Sequence, residues 1–209
     1  MSVSPEALYG FLGLCVASAV AAVARARLPE KRRDPIEGQA GKDVVWVPTP
    51  SVYLEKMLDL ARLTSRDYLI DLGSGDGRIV IAAAKRGARA LGVEYNPDLI
   101  ELSRRTAAVE GVADRATFMQ GDLYEADISG ATVLVLFLMP DMLSKLSAKF
   151  LELPPGTRIV THRFAIDGWE ANEIKRVDGD SPRYCTALLY VVPDLPSTAG
   201  VSQRDSTGT

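Results

Sequence analysis

The sequence predicts an α/β chain: a doubly wound sheet of seven strands that ends in an antiparallel hairpin, preceded by one N-terminal transmembrane helix. Three observations carry this reading. The apolar run Tyr68-Leu69-Ile70 ends in Asp71, and glycines follow at every second position, Gly73, Gly75 and Gly77, before a helical pattern begins at Ile79. Strand, glycine turn and helix in that order open nucleotide-type α/β domains, where backbone must come close to a ligand. Further on, short apolar runs alternate with segments of helical period as far as Thr161. Among them, Thr132 to Phe137 is apolar without interruption, as a central parallel strand covered on both faces requires.

Taken in order, the chain starts with an uncharged stretch of 18 residues, Ala7 to Ala24. That length lies near the lower limit for a helix crossing a bilayer. Arg25, Arg27, Lys31, Arg32 and Arg33 follow it, whereas only Glu6 precedes it. The positive-inside rule then places the N-terminus outside and the remaining chain on the cytoplasmic side. A cleaved signal peptide ending at Ala22-Val23-Ala24 is the rival, but the positive n-region is missing. A helix lying on a membrane or a partner is a third reading. Residues 1–28 are assigned as the membrane anchor. Residues 29–43, charged and punctuated by Pro29, Pro35, Gly38 and Gly41, are assigned as a linker.

The folded domain is expected over 44–193. Val44 to Pro50 is stiff and apolar, with Pro48 and Pro50 breaking any regular element. Val52, Leu54, Met57, Leu58, Ala61 and Leu63 recur at helical spacing, so a helix follows, with Thr49 or Ser51 as its cap. The loop before it could cover a ligand pocket or could simply pack. Strand one is Tyr68 to Asp71, and a helix runs from Arg78 to Arg86, ended by Gly87. Strand two is Ala90 to Glu94. Asn96 then caps a helix with Pro97 at its first position, and Gly111 stops it. Strand three is Ala116 to Gln120, strand four Thr132 to Phe137, and a helix spans Pro140 to Leu151. Strand five is Thr157 to Thr161. Two strands near Ala171 to Val177 and Tyr184 to Val192 flank the polar turn Asp178-Gly179-Asp180-Ser181 and pair as a hairpin. Residues 194–209, rich in Ser, Thr, Gly and Asp, read as a disordered tail.

Ligands of such sheets sit at the carboxyl ends of the strands. Here those ends carry Asp71, Glu94, Asp122 and the stretch Phe137-Leu138-Met139-Pro140. A dinucleotide wants glycines in the order G-x-G-x-x-G, but the third slot is Arg78, with Gly77 one residue early. Asp71 and Asp76 also flank the turn where two phosphates would lie, and like charges repel there. A phosphate-free cation suits the acids better. S-adenosylmethionine carries a sulfonium and an α-ammonium group. Glu94 can accept from both ribose hydroxyls. Asp122 can accept from the adenine amino group, and Leu123 can offer its backbone N–H. Each acid has a plainer reading: Asp71 capping the turn, Glu94 a solvated strand end, Asp122 an Asx-turn residue. Four carboxylates at one predicted edge make the joint coincidence harder to sustain.

Composition excludes much else. Net charge is −3, so no basic footprint for nucleic acid is present and no nucleic-acid partner is expected. One histidine, His162, and two distant cysteines, Cys15 and Cys185, leave no zinc-binding set and no disulfide framework; no metal is expected.

Asp71-Leu72-Gly73-Ser74-Gly75-Asp76-Gly77, followed by Arg78-Ile79-Val80, resembles motif I of class I methyltransferases. Val47-Pro48-Thr49-Pro50, Glu94-Tyr95-Asn96-Pro97, Asp122-Leu123-Tyr124, Phe137-Leu138-Met139-Pro140 and Leu153 to Arg158 extend the likeness to the FAM173-type protein lysine methyltransferases, as does the segment from Arg163-Phe164 to Trp169. Those enzymes are membrane-anchored and modify lysines of the ATP synthase c-subunit and the adenine nucleotide translocase. The resemblance covers about residues 44 to 192. It implies a Rossmann-like methyltransferase fold, S-adenosyl-L-methionine as cofactor, a protein lysine as acceptor, and Thr49 helping to close the cofactor pocket. The cofactor-binding set expected is Thr49, Asp71, Gly73, Ser74, Gly75, Gly77, Glu94, Asn96, Asp122 and Leu123. Acceptor entry is expected near Phe137 to Asp141. There Leu138-Met139-Pro140-Asp141 departs from the Asn/Asp-Pro-Pro-aromatic motif of DNA amino methylases. Asp141, His162 and Tyr124 are the residues that could serve as a base, with none preferred. A lipid or small amphiphile is the alternative acceptor, and a non-catalytic cofactor-binding scaffold the alternative class.

Overall fold

The computed structural model of the chain describes residues 46–176 and 186–194. The expected anchor, the linker, the turn Asp178 to Ser181 and residues 195–209 lie outside the described residues. Among the described residues, no helix is long and apolar enough to cross a membrane.

The elements are α1 (Ser51–Leu60), β1 (Tyr68–Leu72), α2 (Arg78–Lys85), β2 (Arg89–Glu94), α3 (Pro97–Val109), β3 (Ala116–Gln120), β4 (Val133–Leu136), α4 (Pro140–Leu151), β5 (Arg158–His162), β6 (Glu173–Arg176) and β7 (Thr186–Val191). They build one seven-stranded sheet in the order β3-β2-β1-β4-β5-β7-β6. β1 to β5 run parallel, while β7 is antiparallel to both β5 and β6. Strand order reverses between β1 and β4. That switch point opens the crevice in which ligands of such sheets sit.

The apolar pattern divides into two layers around the sheet. On one face, α1, α2 and α3 bring Leu54, Met57, Leu58, Val80, Ala84, Ile100 and Ala107 onto Leu69, Val133 and Val135. On the other, α4 brings Met142, Leu143, Leu146 and Phe150 onto Ile70, Leu72, Leu134 and Leu136. Alternate residues of one strand therefore serve opposite layers, as the two-residue strand period demands. All four residues of β4 are buried. Each fully buried side chain of this size stabilises the fold by roughly 1.5–3 kcal/mol.

Two details differ from the sequence reading. Neither Thr49 nor Ser51 caps α1. Pro50 occupies the N-cap position with φ −60, and its carbonyl accepts from Tyr53 and Leu54 N–H at 3.0 and 3.2 Å. Thr49 is instead buried, 4% exposed. Nor do strands and helices alternate throughout, because the crossover from β3 to β4 carries no helix. Residues 121–132 cover the sheet as irregular chain, pressing Ala126, Ile128 and Ala131 into the second layer. An Asx turn at Asp127, whose carboxylate accepts from Ser129 N–H at 2.9 Å, folds it. Asn96 caps α3 as expected, accepting from Asp98 N–H at 2.9 Å with Pro97 at the first position.

Candidate cofactor site

The site grows from the end of β1. Gly73, Gly75 and Gly77 all have positive φ, at 78, 55 and 76 degrees, a region that costs side-chain-bearing residues energy. The turn doubles back onto β2: Gly73 and Ser74 N–H both donate to the Val93 carbonyl, at 2.8 and 3.0 Å. Glycine at position 75 is required twice, since a β-carbon there would stand 2.2 Å from the Trp46 indole Nε1.

Glu94 is fixed from both sides. One carboxylate oxygen accepts from Gly75 N–H and the other from Asn96 N–H, each at 2.9 Å. Two backbone donors set the plane of the carboxylate, while each oxygen retains a lone pair for a further donor. Asp122 accepts from Tyr124 N–H at 3.0 Å, so it makes the Asx turn and also reaches the cavity wall.

The acids at the turn are not equivalent. Asp71 is 2% exposed, and its Oδ2 has no hydrogen-bond partner among the described residues. Burial pushes its carboxyl well above the usual carboxylate range, and the charges of Glu94 and then Asp76 push it the same way. Asp76 is paired with Arg78: Nε donates to Oδ1 at 2.9 Å and Nη2 to Oδ2 at 2.5 Å. In the sequence Asp76 reads as a bare charge against phosphate. In the fold the guanidinium pairs with it, and Glu94 and Asp122 are the acids that stand against phosphate.

Thr49, Asp71, Gly73, Ser74, Glu94, Asp122 and Leu123 all line one cavity of about 200 Å³ at the switch point. Gly75, Gly77 and Asn96 do not line it; the glycines shape the turn, and Asn96 serves the cavity through its N–H to Glu94. Of the three candidate bases only Tyr124 lines the cavity. Asp141 is exposed at the start of α4. His162 is buried between the rings of Tyr53 and Phe137, at 5.4 and 4.4 Å between centroids. In the sequence Arg78 reads as the residue in the third glycine slot, the start of a helix and part of the motif I likeness, with no role in the site. Its Nη1 donates to the Thr49 carbonyl at 2.8 Å, a contact spanning 29 positions. No local pattern announces it.

The cavity fits S-adenosylmethionine. Asp71, Ser74 and Tyr124 line it, and each holds a buried polar atom, Oδ2, Oγ and OH, with no hydrogen-bond partner among the described residues. Buried polar groups are normally satisfied, so three such residues around one cavity suit a polar ligand there. Carboxylates dominate the polar part, and Val93, Leu123, Leu138 and Met142 supply apolar walls for a flat ring.

Comparison with known proteins agrees. Residues 71–173 match the family model described as the ANTKMT methyltransferase domain. A protein-lysine N-methyltransferase of Saccharolobus islandicus is 40% identical over 152 residues, 71% of this chain and 94% of that protein. The human lysine N-methyltransferase of the ATP synthase c-subunit is 35% identical over 162 residues, 71% of this chain and 69% of that one. A crystal structure described as an RNA methyltransferase from Salinibacter ruber, in complex with S-adenosyl-L-homocysteine, is 43% identical. It superposes with a TM-score of 0.67, over 72% of this chain and 97% of that chain. With a glycine turn, a doubly anchored acid after β2 and an acid-lined cavity at the switch point of this sheet, the chain belongs to the family of S-adenosyl-L-methionine-dependent methyltransferases that carry the ANTKMT methyltransferase domain.

Proposed function

We propose that this methyltransferase modifies a protein lysine, and that residues 1–28 tether it to a membrane with the domain on the cytoplasmic side. The observation that carries the acceptor is the 40% identity to a protein-lysine N-methyltransferase along 94% of that relative's length. The uncharged stretch Ala7 to Ala24 and the arginines behind it support the tether.

S-adenosylmethionine, when bound, supplies an electrophilic methyl group on its sulfonium. The chain's own residues orient it. Glu94, held by Gly75 and Asn96 N–H, would hold the ribose hydroxyls. Asp122 and the Leu123 N–H would hold the adenine edge, and Asp71 with Ser74 the polar methionine end. Thr49 closes the cavity from the leading segment. Alignment of this kind can contribute on the order of 7–11 kcal/mol to a bimolecular transfer. The acceptor approaches past Phe137, Leu138 and Met139, which form the cavity wall after β4. A lysine of pKa about 10.4 must lose its proton before attack. Tyr124, which lines the same cavity, is the one of the three candidate bases near that path.

A second reading has its own support: the Salinibacter relative is described as an RNA methyltransferase. The net charge of −3 and the absence of the amino-methylase motif at Leu138 to Asp141 weigh against it. One experiment separates these readings. The full chain is incubated with membranes, soluble protein and RNA in the presence of methyl-labelled S-adenosylmethionine, and the label is traced. Methyl-lysine in a protein band supports the proposal. Label confined to RNA or to the lipid fraction overturns it. Release of the full chain from membranes by salt alone would overturn the tether.

A further inference from the structure

The leading segment Trp46 to Pro50 reaches the cavity from outside the sheet. Trp46, Val47, Pro48 and Thr49 all line the cavity. Packing holds one end of the segment, where the Trp46 indole lies against the backbone of Gly75. At the other end the Pro50 carbonyl accepts from Tyr53 and Leu54 N–H, and Arg78 Nη1 donates to the Thr49 carbonyl at 2.8 Å, the contact that ties the segment to the glycine turn. Arg78 is itself aimed. Its Nε and Nη2 form a fork on the Asp76 carboxylate, with Nε at 2.9 and 3.1 Å from the two oxygens. The Asp76 carboxylate also accepts from Arg78's own N–H at 3.3 Å.

From this we infer that Arg78 is a positioning residue for cofactor binding: fixed by Asp76, it straps the segment 46–50 over the cavity and so sets how tightly cofactor and product are held. The inference rests on reading this cavity as the cofactor site. The guanidinium is needed because its planar fork serves the carboxylate on one edge while a third nitrogen remains for the carbonyl. A lysine offers one nitrogen and cannot hold both in this geometry. The arrangement also accounts for the pairing of Asp76. That acid lines the cavity, yet it spends its charge on Arg78 rather than on the ligand.

The test uses the full chain with Trp169→Phe, which leaves Trp46 as the single tryptophan. Acrylamide quenching of Trp46 and calorimetric titration with S-adenosylhomocysteine are measured for Arg78 and for Arg78→Lys. Loss of a charge-assisted hydrogen bond predicts a dissociation constant raised about tenfold or more in Arg78→Lys. Trp46 should become more quenchable, and saturating S-adenosylhomocysteine should restore its protection, as reciprocal coupling requires. Asp76→Asn keeps the shape and releases the guanidinium; it should shift both readouts the same way, and it serves if Arg78→Lys fails to fold. Unchanged quenching and unchanged affinity in a folded variant overturn the strap. A lower melting temperature with both readouts unchanged overturns it as well, leaving Arg78 only structural. A parent protein that does not bind S-adenosylhomocysteine would instead overturn the cofactor reading, and the quenching would then decide the strap by itself.

Discussion

The two ends of the cavity are built differently. At the β1–β2 end, the geometry is set by backbone: three positive-φ glycines, two N–H groups on the Val93 carbonyl and two on the Glu94 carboxylate. At the other end, the stretch after β4 is walled by side chains, and Met139 stands 45% exposed; the leading segment, with Trp46 on Gly75, belongs to the backbone-built end. A backbone-built end can change little without breaking the turn, so it suits an invariant ligand. An end built from exposed apolar side chains can be altered residue by residue, so it suits an acceptor that differs between relatives. The relatives, described as protein lysine and RNA methyltransferases, fit that division.

The sharpest way to break the comparison is Gly75→Ala. The added methyl would meet Trp46 Nε1 at 2.2 Å, on a residue with φ of 55 degrees. The turn and the leading segment then suffer together, and affinity for S-adenosylhomocysteine should fall on the order of 100-fold by calorimetry, as loss of about 3 kcal/mol gives. An effect below about threefold would mean that the turn tolerates a side chain and is not backbone-limited.

Asp71→Asn comes next, and it separates binding from stability. Because Asp71 is held above its ordinary value of 3.8, the folded protein binds its proton more readily than the unfolded chain does. Stability contributed by this group is therefore complete below that ordinary value and is lost as pH rises through the raised one. The amide of the variant has no charge to desolvate. The gap in urea midpoint between the variant and the wild type should move in the variant's favour as pH rises from acid to neutral. Cofactor affinity should fall about tenfold over the same neutral range. A gap that does not change with pH, with cofactor affinity unchanged, would show that this acid supports the fold rather than the site.

Met139→Ala is the smallest change and the control for the other end. It should leave affinity for S-adenosylhomocysteine within about twofold, while raising the KM of the methyl acceptor several-fold, since a partly exposed side chain gives up only part of its transfer energy. Equal losses in both would erase the division of labour.

The same contrast explains what was legible in the sequence. Periodicity marked β4 and α4 because Leu134, Leu136, Met142 and Phe150 are placed by burial, and burial leaves a pattern. The glycine turn was legible because φ restricts residue choice. The helix-free crossover at 121–132 was not, since Ala126, Ile128 and Ala131 pack from irregular chain whose spacing follows no period. Arg78 was hidden for another reason. Its partner is a carbonyl, which every residue owns, so no residue type at position 49 could reveal the contact. Asn96 was read correctly as a helix cap; its link to the site runs through its N–H, which sequence does not specify either.

The central claim is that cofactor recognition belongs to the backbone-built end. Calorimetric titration of Glu94→Ala beside the wild type and Met139→Ala tests it most directly. The wild type and Met139→Ala should bind S-adenosylhomocysteine alike, with Glu94→Ala reduced by about 100-fold, because two backbone N–H groups and two ribose hydroxyls lose one shared acceptor. Equal binding by Glu94→Ala and the wild type would contradict the account.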